Sequence, residues 1–231
     1  KRNRSRQLSG VCVNSPGRMT KKKDIVVEGP SGVGKTSLAK ILATEFQARS
    51  LFEKVEDNPF LPKFYEDRET YAFQNQLFFL LSRYQQQREL SQQELFNQNT
   101  VADYLFAKDK IFASLTLSSE ELNLYQQIYL LLDTRVPKPD LVVYLQARPE
   151  VLYKRIKKRD KSYEKNITPE YLEEVAQAYN RFFFHYDEGP LLVVNTSEID
   201  FVSSGNDLAD LIKEINNMGP GTQHYIPLGS R

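Results

Sequence analysis

The chain has 231 residues, of which 40% are hydrophobic and 26% charged, with 31 basic side chains against 30 acidic ones. That length suits one domain, or one domain with tails, and is enough to bury a sizeable core. The balanced charge gives no electrostatic case for a nucleic-acid or membrane partner, and no apolar run approaches the roughly 18 residues of a bilayer span. Cys12 stands alone, which excludes an internal disulfide and suits a reducing compartment.

In chain order, the segment from Lys1 to Thr20 holds Arg2, Arg4, Arg6 and Arg18, several serines and no acid. Its apolar residues do not recur at helical spacing. It reads as a linker, upstream read-through or disordered tail (residues 1–20), with a mitochondrial presequence as the alternative to a cytoplasmic location. Met19 sits directly before the first credible strand, Lys23 to Glu28, which is apolar through Ile25-Val26-Val27 and ends at a glycine turn. Ser37 to Gln47 places Leu38, Ile41, Leu42 and Phe46 at helical period. Ser50 to Val55 is a short second strand, Phe60 to Glu94 is helical with a break near Arg68 to Tyr71, and Thr100 to Asp103 is a short third strand.

Ser118 to Thr134 is helical, with Ser118 as N-cap and Glu121 at the capping-box position. Pro137 and Pro139 close it, and Leu141 to Leu145 is a continuous apolar strand. Two helices follow, Glu150 to Lys158 and Glu170 to Tyr186, then a strand at Leu191 to Val194, a helix at Leu208 to Ile215 and a loop from Gly219. Apolar strands alternating with helices predict a parallel sheet covered on both faces.

Gly29-Pro30-Ser31-Gly32-Val33-Gly34-Lys35-Thr36 fits G-x-x-x-x-G-K-[ST] and is followed by Ser37. It follows an apolar strand and opens an amphipathic helix, the context that a P-loop requires. The glycines let successive N–H groups point at a β-phosphate, and the helix adds its positive N-terminal end. Lys35 would reach the β- and γ-phosphates of ATP, and the Thr36 hydroxyl would ligate Mg²⁺. Guanine-recognition sequences such as N-K-x-D are absent, which leaves small kinases.

Further elements, in order, resemble the deoxyribonucleoside kinase family, especially its shorter bacterial-type members. Glu53-Lys54-Val55-Glu56-Asp57-Asn58-Pro59-Phe60-Leu61 is close to the family's E-P-V-x-x-N-P-[FY]-L, with Lys54 replacing the proline. By that resemblance Glu53 is the general base for a 5′-hydroxyl, a task that suits a carboxylate. Tyr65, the run Tyr71 to Gln76, and Ser82-Arg83 match the acceptor segment. Gln76 and Arg83 lie two helical turns apart and share one face. The resemblance gives Gln76 paired hydrogen bonds to the nucleobase, Arg83 a share in reading the base, and Tyr65 a contact with the sugar 3′-hydroxyl. Phe73 is the best stacking candidate among the aromatic residues, and Gln74 points to another face.

Ala147 to Glu150 and Arg155 to Glu164 resemble the family's lid. Arg155 and Arg159, spaced i, i+4, would project together towards the donor phosphates. Lys161 stands where a further arginine is usual, and Glu164 would accept from the sugar 3′-hydroxyl. Read without that context, the basic run is a solvated helix or a nucleic-acid patch. Val193 to Phe201 resembles the loop against which the donor adenine sits.

The resemblance breaks after the third strand, where the family carries [DE]-R-S and this chain has Ala102-Asp103-Tyr104-Leu105. A one-residue gap puts Asp103 under the first acid, as a Mg²⁺ ligand, and Asp109 under a later acid that helps to read the base. Without the gap, Asp103 falls under the arginine and Lys108 under the later acid. Either way the arginine is missing, and Lys108 is a candidate replacement charge. His185 and His224 have no metal-ligand companions at useful spacing.

The expected fold is therefore an α/β P-loop three-layer sandwich, with a five-stranded parallel sheet, helices on both faces and a helical lid. Its kinase domain runs over residues 21–217, with a tail at 218–231. The expected reaction is ATP-dependent phosphorylation of a deoxyribonucleoside by a homodimer. The alternatives are a thymidylate-type monophosphate kinase and a nucleotide-binding regulatory module without turnover.

Overall fold

Ile25–Glu28 forms β1, and all four of its residues are buried. Successive side chains of a strand face opposite sides, so burial at every position means that both faces are covered. The same holds for β4 (Leu141–Gln146) over its first five residues and for β5 (Leu191–Asn195) over its first four. The computed structural model describes residues 24–93, 99–161, 164 and 167–227. Cys12 and the basic segment from Lys1 to Thr20 lie outside them.

The remaining strands are β2 (Arg49–Leu51), β3 (Thr100–Ala102) and β6 (Thr222–Tyr225). All pair in parallel, in the order β2-β3-β1-β4-β5-β6. The sheet thus has six strands where five were expected. The sixth falls in the segment read as loop because Thr-Gln-His-Tyr carries no apolar pattern. It is an exposed edge joined to β5 by its backbone, with Leu191 opposite Thr222.

Among the described residues, eight helices connect and cover the strands: α1 (Lys35–Glu45), α2 (Leu61–Glu66), α3 (Arg68–Gln93), α4 (Asp109–Thr116), α5 (Ser119–Asp133), α6 (Pro149–Arg159), α7 (Pro169–Phe184) and α8 (Gly205–Asn217). The main core joins Leu38 and Leu42 of α1, Leu152 and Ile156 of α6, Val175 and Tyr179 of α7, and Leu211 and Ile215 of α8 to the sheet. A second cluster, with Leu80, Phe106, Tyr125 and Tyr129, lies among α3, α4 and α5. A small third cluster, Leu61, Phe64 and Ala72, seats α2 on α3.

Local chemistry accounts for the boundaries. Asp67 ends α2, and its carboxylate accepts from Thr70 N at 3.1 Å, which opens α3 at the predicted break. The Ser118–Glu121 capping box is formed in both directions, at 3.4 and 3.0 Å. The second strand is shorter than expected, because a tight helical turn at Val55–Asp57 takes over its end. Among the described residues no helix is long and apolar enough to cross a membrane.

Candidate active site

The phosphate cradle lies between β1 and α1, where strand order reverses around β1, the usual ligand crevice of open α/β sheets. Gly32 has φ +83°, and a Cβ there would meet Leu152 O at 2.8 Å. Gly29 passes against Leu145 O with φ +150°. Only glycine allows the loop to curl this tightly against the ends of β4 and α6. The N-terminus of α1 has no side-chain cap at Gly34, so its N–H groups remain for an anion.

Lys35 Nζ donates to Gly29 O at 2.6 Å and to Pro30 O at 3.2 Å. Burial, aided by the nearby Lys108 charge, pushes its pKa down to about 8. Glu28, fully buried, accepts from Gly29 N at 2.8 Å, from Leu105 N at 2.8 Å and from Tyr179 OH at 3.1 Å. It bolts the start of the cradle to the segment after β3.

The Thr36 hydroxyl donates to Asp103 Oδ2 at 2.5 Å, and Asp103 Oδ1 accepts from Glu53 N at 2.8 Å. Asp103 therefore joins the donor cradle to the acceptor side. A hydroxyl and a carboxylate oxygen at one spot fit a hard cation such as Mg²⁺. No group of three or more His, Cys, Asp or Glu side chains is suited to a metal among the described residues, so such an ion would share its coordination with phosphate and water.

Glu53 follows β2 and is clamped on both oxygens. Arg83 donates through Nε to Oε1 at 2.8 Å and pairs with it again through Nη2; Lys108 Nζ donates to Oε2 at 2.8 Å. Burial alone would raise the carboxyl pKa, but the charges of Arg83 and Lys108 outweigh it and hold it down at about 2. Glu53 is a carboxylate at neutral pH. Arg83 is 4% exposed and also pairs with Asp109, whose Oδ2 is buried without a hydrogen-bond partner.

One cavity of about 440 Å³ joins the two sides. Ser31, Lys35, Thr36 and Asp103 line its donor end, and Glu53, Tyr65, Gln76, Phe79, Arg83 and Tyr171 its acceptor end. Gln76 Nε2 donates to Thr116 Oγ1 at 3.3 Å, and the Thr116 hydroxyl donates in turn to Phe112 O at 2.8 Å. Arg159 and Glu164 close another wall as a pair, with Nε to Oε2 at 3.1 Å. Lys161 also lines the cavity and bonds Glu56 at 3.0 Å.

Three expected placements differ. Arg155 does not accompany Arg159 to the cavity. Its guanidinium donates to Thr196 O at 3.0 Å and Ile199 O at 3.2 Å, and so braces the loop after β5. Helical spacing gave the two arginines a shared face but not the partner that each would find. Asp109 stands behind Arg83 and does not line the cavity. Phe73 packs into the cluster around Leu80, whereas Phe79, under the Arg83 guanidinium at 4.9 Å, is among the aromatic residues on the wall. Glu28, and the contact that Lys108 makes with Glu53, carried no motif of their own.

Comparisons with known proteins bear on the family and the fold. A family model described as deoxynucleoside kinase matches residues 25–219. A deoxyguanosine kinase of Bacillus subtilis is 37% identical over 199 residues, covering 84% of this chain and 96% of that protein. A deoxyadenosine kinase of Dictyostelium discoideum is 34% identical over 86% of this chain and 82% of its own length. Among solved structures, a deoxyadenosine kinase from M. mycoides with dCMP and a flexible dCDP bound superposes with a TM-score of 0.73 and 26% identity, covering 84% of this chain and all of that one.

Proposed function

The chain belongs to the deoxynucleoside kinase family, and from that premise we propose that it transfers the γ-phosphoryl group of ATP to the 5′-hydroxyl of a deoxyribonucleoside, a purine deoxynucleoside first. The observation that carries this reading is a shared cavity with Lys35 at one end and an ionised Glu53 at the other. The names of the relatives, deoxyguanosine and deoxyadenosine kinases, support the purine choice.

The residues divide the work as follows. The main-chain N–H groups of Gly32, Gly34, Lys35 and Thr36, with the Lys35 side chain, hold the polyphosphate, and Ser37 continues the helix behind them. The Glu53 carboxylate accepts a hydrogen bond from the 5′-hydroxyl and takes its proton as the new O–P bond forms. The bond from the γ-phosphorus to the bridging oxygen breaks in the same in-line step, and ADP leaves. Thr36 and Asp103 would hold Mg²⁺, which would supply positive charge to the phosphate oxygens.

Gln76 and Arg83 read the base, with Asp109 holding Arg83. Tyr65 and Glu164 hold the sugar 3′-hydroxyl, and Arg159 faces the charge that spreads over the transferring group. Arg155 acts indirectly, by shaping the loop for the donor adenine. A homodimer through α3 and α5 is supported by Leu81 on α3 and by Leu124 and Leu131 on α5, all exposed and apolar. The proposed location is the cytoplasm.

A panel of four deoxynucleosides and their monophosphates, each with ATP and purified protein, tests the reading. Nucleoside-dependent ADP release is the expected result. Release that depends on a monophosphate acceptor, or on none, would contradict it.

A further inference from the structure

Glu53 has two carboxylate oxygens and two cationic partners with different obligations. Arg83, on Oε1, is shared with Asp109. Lys108, on Oε2 at 2.8 Å, has Glu53 as its salt-bridge partner. Lysine is among the side chains least often fully buried, yet this one is 4% exposed at the wall of the cavity. Such a charge is unfavourable unless its partner is held in good geometry.

The backbone around Lys108 is itself tied to the cradle. Lys108 ends a tight helical turn, Phe106–Lys108, closed by Lys108 N donating to Leu105 O at 3.1 Å. Leu105 N donates to Glu28 Oε2 at 2.8 Å, and the other oxygen of Glu28 accepts from Gly29 N at 2.8 Å. A continuous path therefore runs from the first glycine of the phosphate cradle through Glu28, Leu105 and Lys108 to the acid across the cavity. With a cation on each oxygen, the carboxylate has no free rotation about its last bond.

We propose that Lys108 is a positioning residue which, through this path, sets the angle of the Glu53 carboxylate relative to the phosphate cradle. This rests on the kinase reading. No proton passes through the lysine: it fixes the acid that receives one. Misplacing a reacting group by about 1 Å commonly costs on the order of 100-fold in rate, which sets the scale of the effect.

The test compares wild type, Lys108→Met, Lys108→Arg, Glu53→Gln and the Glu53→Gln/Lys108→Met double variant with ATP and deoxyguanosine. For Lys108→Met we expect kcat to fall about 100-fold, with KM for ATP within about threefold of wild type; Lys108→Arg should recover at least about a tenth of the lost rate. Because the lysine acts through the acid, the double variant should be no slower than Glu53→Gln alone, within about threefold. A purely structural lysine, or one that touches phosphate, would add its own loss there.

The proposal is overturned if Lys108→Met keeps kcat within about threefold of wild type, or if it slows Glu53→Gln by a further tenfold or more. Thermal melting identifies a variant that fails to fold, and Lys108→Gln then takes its place under the same criteria. A wild type without nucleoside-dependent ADP release overturns the kinase reading as well. A wild type that turns over and is matched by Lys108→Met overturns this proposal alone.

Discussion

The two ends of the cavity are built by different means. The donor end is a contiguous backbone structure: one loop, Gly29 to Thr36, curls between a strand and a helix, and its shape depends on glycines. The acceptor end is a side-chain network in which Glu53 after β2, Arg83 on α3, Lys108 before α4 and Asp109 within it meet through ion pairs. The first is sensitive to added atoms and the second to removed charges. The difference separates variants that damage binding of the phosphates from variants that damage the folded protein or its chemistry.

The largest effect on stability is expected at Arg83, which is 4% exposed against an Asp109 that is fully buried. Arg83→Met leaves Asp109 uncompensated and should lower unfolding free energy by about 3–5 kcal/mol in urea titrations. Adding Asp109→Asn should return a large part of it. An equal loss in the single and double variants would separate the two residues and weaken the network account.

At the donor end, Gly32→Ala forces a Cβ to 2.8 Å from Leu152 O at a positive φ. Backbone strain of this kind is worth about 1–3 kcal/mol, so ATP affinity measured by calorimetry should fall roughly 10- to 100-fold. Nucleoside affinity should stay near wild type, and a parallel loss of both would erase the contrast between the two ends.

Lys35→Met is expected to abolish ATP binding while raising thermal stability at pH 7 by roughly 2–5 °C. The sign follows from the pKa. Lys35 titrates at about 8 in the folded chain, below its ordinary 10.5. Its protonated form therefore lowers folding stability below pH 8, and that penalty disappears as pH rises from 8 towards 10.5. The same group should give kcat/KM for ATP an alkaline limb near pH 8, whereas Glu53, held at about 2, contributes no limb between pH 5 and 7. The smallest effect is expected at the Lys161–Glu56 pair on the exposed rim, where Glu56→Gln should change stability by about 0–1 kcal/mol.

What was legible follows the same division. The donor end could be read directly because a P-loop is a run of adjacent residues whose strand-before, helix-after context is also local. The central strands were legible because burial on both faces leaves continuous apolar runs, and the capping box at Ser118 because it spans one turn. Glu53, Gln76 and Arg83 are expectations from resemblance alone, and all three line one cavity.

Three features escaped for physical reasons. β6 is held by backbone bonds at an exposed edge and so leaves no hydrophobic pattern. The partner of Arg155 is a pair of carbonyls in a distant loop, which side-chain spacing cannot indicate. Lys108 reaches Glu53 across 55 positions of sequence, and only the fold brings them together.

Replacing the acid alone, Glu53→Gln, tests the central assignment most directly, with nucleoside-dependent ADP release and ATP binding measured on the same preparation. Loss of about 10²–10⁴-fold in kcat, with ATP affinity unchanged, is the predicted result. Turnover retained within about threefold of wild type would show that some other group receives the proton of the acceptor hydroxyl.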